Sequence, residues 1–551
     1  MSDVWNFFVK NNNNTSAQCN KCNKTFKWNS THGTSSLKKH LSTHDINIQS
    51  NIKRPILIKK TEIPPDELAD INEKYVNFVI KNCQPFRLSE DIYFVNFVDA
   101  LNQDYKLLNR KQTRTKIEQL YDSKKILIDE TLKNLNQKFS ISLDVWTSIK
   151  NEQYIGVHIH FIHNFILKKY VIGFDKIHDQ KAETIAEKLN DIFTDFELDT
   201  SNILSFTSDN CNTMKLTCDL LNNKVDDNNR SFNFFGCFAH IINLIIKESV
   251  LSSETIIKAR DLAFVIKNSP KIINILENIA LTNNTIFTTI KCDVPTRWNS
   301  SYIMIDSLIK NKNILTKVTS TNILKLKEWN ELVTIKSLLE PFYDLTKIVS
   351  ASKYPTIGLA YSVILSIYKY LNIFSENNKF KHKSVLMKEK FTKYFEFLNQ
   401  EYFISMILDP RFKLKLLDEQ QKNDIMEIIK NTFEKYQLEF NNKNKVEDQE
   451  KKIKHNTQIS LFPPEIISNE IDTYITSPIV NQNTDILEWW KNNHDSYKIL
   501  SIMATDYLAI PISSVSVEEL FSAAGEIITD QRNRLQSDII KKIMCLQNWI
   551  I

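Results

Sequence analysis

Glycine is scarce in this chain: six residues in 551, none of them in a G-x-G-x-x-G or P-loop pattern. Enzymes that cradle nucleotide phosphates use glycine to bring the backbone close, so kinase, ATPase and dinucleotide-dependent chemistry are disfavoured. Long apolar runs are missing too. No run reaches the length of a bilayer span and no charged-then-apolar leader opens the chain, so the expectation is no membrane partner and a cytosolic or nuclear protein. Paired cysteines are a third absence. Of eight, Cys83, Cys211, Cys218, Cys237, Cys292 and Cys545 are scattered and suggest no disulfide framework.

The other two cysteines are not scattered. Cys19, Cys22, His40 and His44 stand in the order C-x2-C-x17-H-x3-H. Two thiolates two residues apart and two imidazoles one helical turn apart can close a tetrahedral Zn²⁺ site. Ser35-Ser36-Leu37-Lys38-Lys39 reads as a helix start, and four-residue spacing puts His40 and His44 on one face. Trp5, Phe8, Phe26, Trp28 and Leu37 surround them. A module this short cannot build a large core, so a metal must supply much of its folding free energy.

Positive charge gathers in the same place. Residues 1–60 hold nine Lys and one Arg against two Asp, a balance of +8 in a chain whose total is +5, which leaves −3 for residues 61–551. Lys38 and Lys39 lie on the expected ligand helix, where a finger's phosphate and base contacts arise, so a nucleic-acid reader attached to a larger body is expected.

Seven segments follow from the pattern: a finger at 1–48, a basic linker at 49–65, a helical domain at 66–137, a mixed α/β core at 138–250, a helical insertion at 251–440, a low-complexity loop at 441–484 and an apolar helical segment at 485–551. Lys53, Arg54, Lys59 and Lys60 in the linker are a candidate nuclear-import signal. In 66–137, Arg110 and Lys111 belong to a basic stretch that is either a solvated helix face or a second DNA-contacting surface. Strands are expected at 141–146, 154–162, 166–174, 203–207 and 232–235, with helices at 182–196, from 213, and at 237–248. Three meandering strands followed by alternating units describe a mixed sheet with helical cover.

Asp144 lies inside an otherwise apolar strand and Asp209 at the carboxyl end of another. A charge in a strand is costly unless paired or bound to metal. The first and fourth strands can be neighbours in this order, so both carboxylates can converge on Mg²⁺ or Mn²⁺. Taken singly, Asp209-Asn210 is also a good helix cap.

These residues resemble a known family. Val4-Trp5-Asn6-Phe7-Phe8 with the C-x2-C…H-x3-H is similar to the BED-type zinc finger, and the rest resembles the hAT superfamily of transposases and their domesticated relatives. The matching blocks are Leu143-Asp144-Val145-Trp146, Ser208-Asp209-Asn210, Cys237-Phe238-Ala239-His240, Arg297-Trp298 and Ser513 to Ser522. The resemblance implies a multidomain α+β protein: a small zinc-finger module, a helical DNA-binding domain, and an RNase H-like mixed α/β core interrupted by a large all-helical insertion. It implies a catalytic triad of Asp144, Asp209 and Glu518 holding Mg²⁺ or Mn²⁺, and His240, Arg297 and Trp298 as substrate-positioning residues, with Trp298 stacking on a base. It also implies a homodimer or higher oligomer through the C-terminal segment, although that segment's apolar helices fit an intramolecular core equally well. Glu519 stands where the family commonly has Arg, and Gln103 and Leu108-Asn109 replace common prolines and Pro-Ser.

Three functions compete at this point. One is a DNA transposase cutting and joining strands at transposon ends. Another is a non-catalytic DNA-binding regulator derived from such an element, and the third is a nuclease acting on RNA. Finger and basic charge favour duplex DNA, and the nucleus as location.

Overall fold

The computed structural model describes residues 3–11, 13, 15–29, 33–44, 46, 63–135, 137–222, 232–294, 297–318, 323–349, 351, 354–376, 381–396, 398–454, 470–529 and 535–550. The chain divides into two units, Met1–Pro64 and Pro65–Ile551. Most of the linker, with its four basic residues, lies outside the described residues.

In the small unit, β1 (Phe8–Lys10), β2 (Ser16–Cys19) and β3 (Thr25–Lys27) form an antiparallel sheet, followed by α1 (Ser35–Leu41). Among the described residues its core is seven buried side chains, including Val4, Phe8, Trp28, Leu37 and Leu41.

The large unit opens with α2 (Pro65–Lys81), α3 (Ile92–Leu101) and α4 (Arg110–Lys133). Next come β4 (Phe139–Thr147), β5 (Gln153–His163), β6 (Ile166–Ile177), α5 (Ala182–Asp195), β7 (Ile203–Ser208), α6 (Asn212–Asn222), β8 (Asn233–Gly236) and α7 (Phe238–Ile246). The strand order is β6-β5-β4-β7-β8. β4 pairs antiparallel with β5 and parallel with β7, as the sequence order anticipated for the first and fourth strands. Both faces of β4 are covered: Ile141 and Leu143 on one, Ser140 and Ser142 on the other, all fully buried.

The helical stretch that follows comprises α8 (Glu254–Lys267), α9 (Pro270–Thr282), α10 (Trp298–Lys310), α11 (Lys312–Leu315), α12 (Leu326–Val349), α13 (Ile357–Glu376), α14 (Lys381–Phe395), α15 (Gln400–Ile407) and α16 (Glu419–Lys454). α13 corrects one expectation: it is long and apolar enough, by length and composition, to cross a membrane. Its Ile357, Ala360, Ile364, Ile367 and Leu371 are buried in the helical core. α16 corrects another, because the chain stays helical through 441–454 instead of turning to loop. Lys, Glu, Gln and Asn crowd that stretch and look like solvated coil, yet three of the four are good helix formers.

The C-terminal part is α17 (Glu470–Thr476), α18 (Ile486–Asn493), α19 (Lys498–Tyr507), α20 (Val515–Ile527) and α21 (Ser537–Trp549). Its apolar side chains, Trp490, Ile499, Met503 and Met544 among them, are buried within the unit itself. α21 ties two regions together. The Trp549 indole N–H donates to Val171 O in β6 (2.9 Å), and its ring stacks on Tyr121 of α4 at 5.1 Å. Residues 66–137 therefore share one core with the sheet, Val79, Ile117 and Leu132 packing with Ile141 and Met544.

Candidate metal centres

The finger's four ligands come from three elements. β2 ends at Cys19, the following turn carries Cys22 and reverses through Asn23 at φ 59°, and α1 with the short 3-10 turn Ser42–His44 presents His40 and His44. Cys22 Sγ lies 3.1 Å from His40 Nε2, which lies 3.2 Å from His44 Nε2. All four ligand atoms fall within 4.8 Å of one another. Desolvation, then His44 and Lys24, holds His40 below the ordinary imidazole value, which favours the neutral ligating form. Two thiols and two imidazoles so converged fit tetrahedral zinc. Lys38 and Lys39 are exposed on the same helix.

In the large unit, register brings the two aspartates level. Ser142 pairs with Thr207; Asp144 stands two residues further along β4 and Asp209 two residues past Thr207, just beyond the end of the parallel β7. Asp144 Oδ1 accepts the Val145 N–H at 2.8 Å. Burial pushes the Asp144 carboxyl up to about 7; the Val145 N–H opposes this, and Asp209 and Glu518 add to it. Asp209 Oδ1 is buried without a hydrogen-bond partner.

Glu518 arrives from the far end of the chain, in the first turn of α20. The segment before that helix is stitched to the carboxyl edge of the sheet. Thr207 Oγ1 donates to Pro511 O (2.7 Å), Phe238 N–H to Ile512 O (2.9 Å), and Ser514 N–H to Cys237 Sγ (3.3 Å). Gly156 of β5, paired with Asp144, lets α20 come close. A Cβ there would lie 2.8 Å from Val517 and 3.0 Å from Phe521. Phe521 in turn stacks on Trp146 at 5.8 Å.

A cavity of about 270 Å³ results, lined by Asp144, Trp146, Arg297, Glu518, Phe521 and Ser522 among others. Asp209 is not in its lining, and the three carboxylates do not share one tight cluster as the finger's ligands do. Arg297 Nη2 sits 3.4 Å from Glu518 Oε2 and occupies part of that carboxylate's field. Trp298 is 3 % exposed, edge-on to Tyr343 at 6.4 Å, and its backbone N–H donates to Asn243 Oδ1. No ring face is free for a base in this arrangement. His240 is half-buried in the first turn of α7. Glu519 Oε2 lies 3.9 Å from Lys169 Nζ on β6.

Sequence reasoning missed Gly156 and Asn243. A lone glycine inside a strand of so glycine-poor a chain was the available signal for the first.

Arg110 and Lys111 open α4, whose start is fixed by a capping box between Asn109 and Gln112. Cations at the positive end of a helix gain nothing from its dipole. With Arg87 and Arg114 they rim a cavity of about 950 Å³ floored by Phe86 and Ile539. Arg110 also pairs with Glu90 at 3.3 Å.

A sheet antiparallel on one flank and parallel on the other, with acids at its carboxyl edge, places the large unit in the RNase H-fold class. Family models match along most of the chain: BED zinc finger at 2–46, ZBED1 RNase-like domain at 142–233 and ZBED1 RNase-like helical domain at 235–338. Further models are hAT-like transposase, RNase-H fold, at 358–455 and hAT family C-terminal dimerisation region at 470–550. Among similar proteins, the putative AC transposase of Zea mays is 25% identical over 100% of this chain and 76% of its own length. RICESLEEPER 3, a zinc finger BED domain-containing protein of Oryza sativa subsp. japonica, is 22% identical over 97% and 81%. The Hobo transposase of Drosophila melanogaster is 23% identical over 91% and 85%. The chain belongs to the hAT superfamily of transposases and their domesticated relatives, with a BED-type zinc finger at its front.

Proposed function

We propose that this protein binds duplex DNA and cuts and joins its strands at the ends of a mobile element. The supporting observation is the level register of Asp144 on β4 with Asp209 at the carboxyl end of the adjacent parallel β7, and Glu518 delivered over Gly156. The donors are all carboxylate oxygens, and the orphaned Asp209 Oδ1 suits a hard divalent cation. Bound there, Mg²⁺ or Mn²⁺ would activate water and stabilise the leaving oxygen in phosphoryl transfer. Asp144, Asp209 and Glu518 would hold it. Arg297 at the cavity wall would orient a backbone phosphate, and His240 would stand behind it.

Zn²⁺ at Cys19, Cys22, His40 and His44 would hold the finger, whose Lys38 and Lys39 contact DNA; Arg110 and Lys111 would add phosphate contacts. Residues 470–550 support a homodimer or higher oligomer, and a DNA-acting protein of this kind works in the nucleus.

The test is Mn²⁺-dependent nicking of candidate element ends by the purified chain. Activity lost in Asp144→Ala supports the reading; silence across many candidate ends counts against it. The Arg297–Glu518 pair favours a second reading, a DNA-binding regulator that no longer cleaves. Full cellular function of Asp209→Asn would select that one.

A further inference from the structure

The amino end of α20 carries an arrangement that the acidic cavity does not use. α20 has 13 residues, and its N-cap, Ser514, makes no side-chain cap hydrogen bond. A helix of this length presents partial positive charge and unfilled N–H groups at that end. Against it lies a separate cavity of about 40 Å³, lined by His160, Lys169, Tyr354, Ser513 and Ser516 among others. One water needs about 10–15 Å³, so a group of several oxygens has room.

Ser516 is 7 % exposed, lines this cavity, and its Oγ is buried without a hydrogen-bond partner. A buried hydroxyl left that way is destabilising unless something outside the chain satisfies it. The Lys169 side chain is 21% exposed, with Glu519 at 3.9 Å. Burial draws the Lys169 ammonium below its ordinary value, and Glu519 opposes that. His160 Nε2 is engaged with Ser142 Oγ at 2.8 Å. Burial and then Lys169 hold the His160 ring neutral, at about 3. Lys169 on β6 and Ser516 on α20 therefore bring donors to the cavity from two elements, and Glu519 is the carboxylate paired with Lys169.

We propose that this cavity binds a phosphate group, held by Lys169 Nζ, the Ser516 hydroxyl and the amino end of α20. The occupant is a tetrahedral oxyanion, either the free ion or a phosphodiester of a bound strand. Because Ser516 is two residues from Glu518, occupancy also steadies the turn that carries Glu518.

Binding of sodium phosphate to the full chain, by titration calorimetry at constant ionic strength with the melting temperature as second readout, tests it. Wild type should bind saturably and melt higher. Loss of a charged hydrogen bond should weaken binding about tenfold or more in Lys169→Met, and Ser516→Ala should also weaken it. Lys169→Arg should keep binding. Glu519→Gln should tighten binding by removing the competing carboxylate, an effect that a purely structural Lys169–Glu519 pair would not produce. No saturable binding to wild type, or unchanged affinity in both Lys169→Met and Ser516→Ala, would overturn the proposal. A DNA duplex added to the phosphate-loaded wild type tells the two sources apart: displacement of the bound phosphate identifies the phosphodiester, and retention identifies the free ion.

Discussion

Asp506 is buried between α19, α16 and the start of β4, where Tyr436 Oη (2.7 Å) and the Lys138 N–H (3.1 Å) donate to its carboxyl. Burial pushes it up to about 7 despite those donors and the nearby Lys138 charge, and Glu439 adds to the rise. A folded value above the unfolded one means the protonated form is favoured in the fold. Its contribution is complete below about pH 4 and is lost as pH rises through about 7. Asp506→Asn, neutral throughout, should flatten that dependence and be the more stable protein at pH 8, by an amount on the order of a few kcal/mol. Denaturant midpoints measured from pH 5 to 8 check this. The apolar run around Asp506 signals burial, but its hydrogen-bond partners come from positions 138 and 436 and could not be read from it. The burial of Asp144 was legible in the same way, from its apolar strand neighbours.

Among elements, α20 depends most on a single backbone approach. Gly156→Ala would put a methyl carbon against Val517 and Phe521 where no space exists, at a cost of about 1–3 kcal/mol. It should also swing Glu518 away from Asp144. The expected outcome is a lower melting temperature, and loss of any cleavage the wild type shows. Val517→Ala in the same chain should recover part of both, which a double-mutant cycle measures. The five strands were readable because alternation is local. The crossing of β5 and α20 was not, since 156 and 517 lie far apart in the chain. Helix α16 was misread for a different reason: polarity signals exposure, and exposed residues can be helical.

For the molecule as a whole, the division at Pro64 separates two sources of stability. Removing metal with a chelator should unfold the finger and leave the melting transition of residues 65–551 unchanged, since that unit holds its own cores. Calorimetry with and without chelator decides it; a single transition that falls on chelation would contradict it. If duplex DNA binds through phosphates, affinity should fall steeply with salt. Lys38→Ala/Lys39→Ala should lower the slope of log K against log salt by about 2, measured by fluorescence anisotropy.

Local information specified the zinc ligands, the succession of strands and helices in the core, and the two aspartates. Ligand spacings of two and four residues, and alternation along a strand, are properties of neighbouring positions. Contacts between distant positions had to wait for the fold. Residues 66–137 merge with the sheet through α21, Arg297 pairs with Glu518, Trp298 is packed away, and Ser516 and Lys169 meet at one cavity. Each joins segments tens to hundreds of residues apart, and only the packing of the whole chain sets such distances.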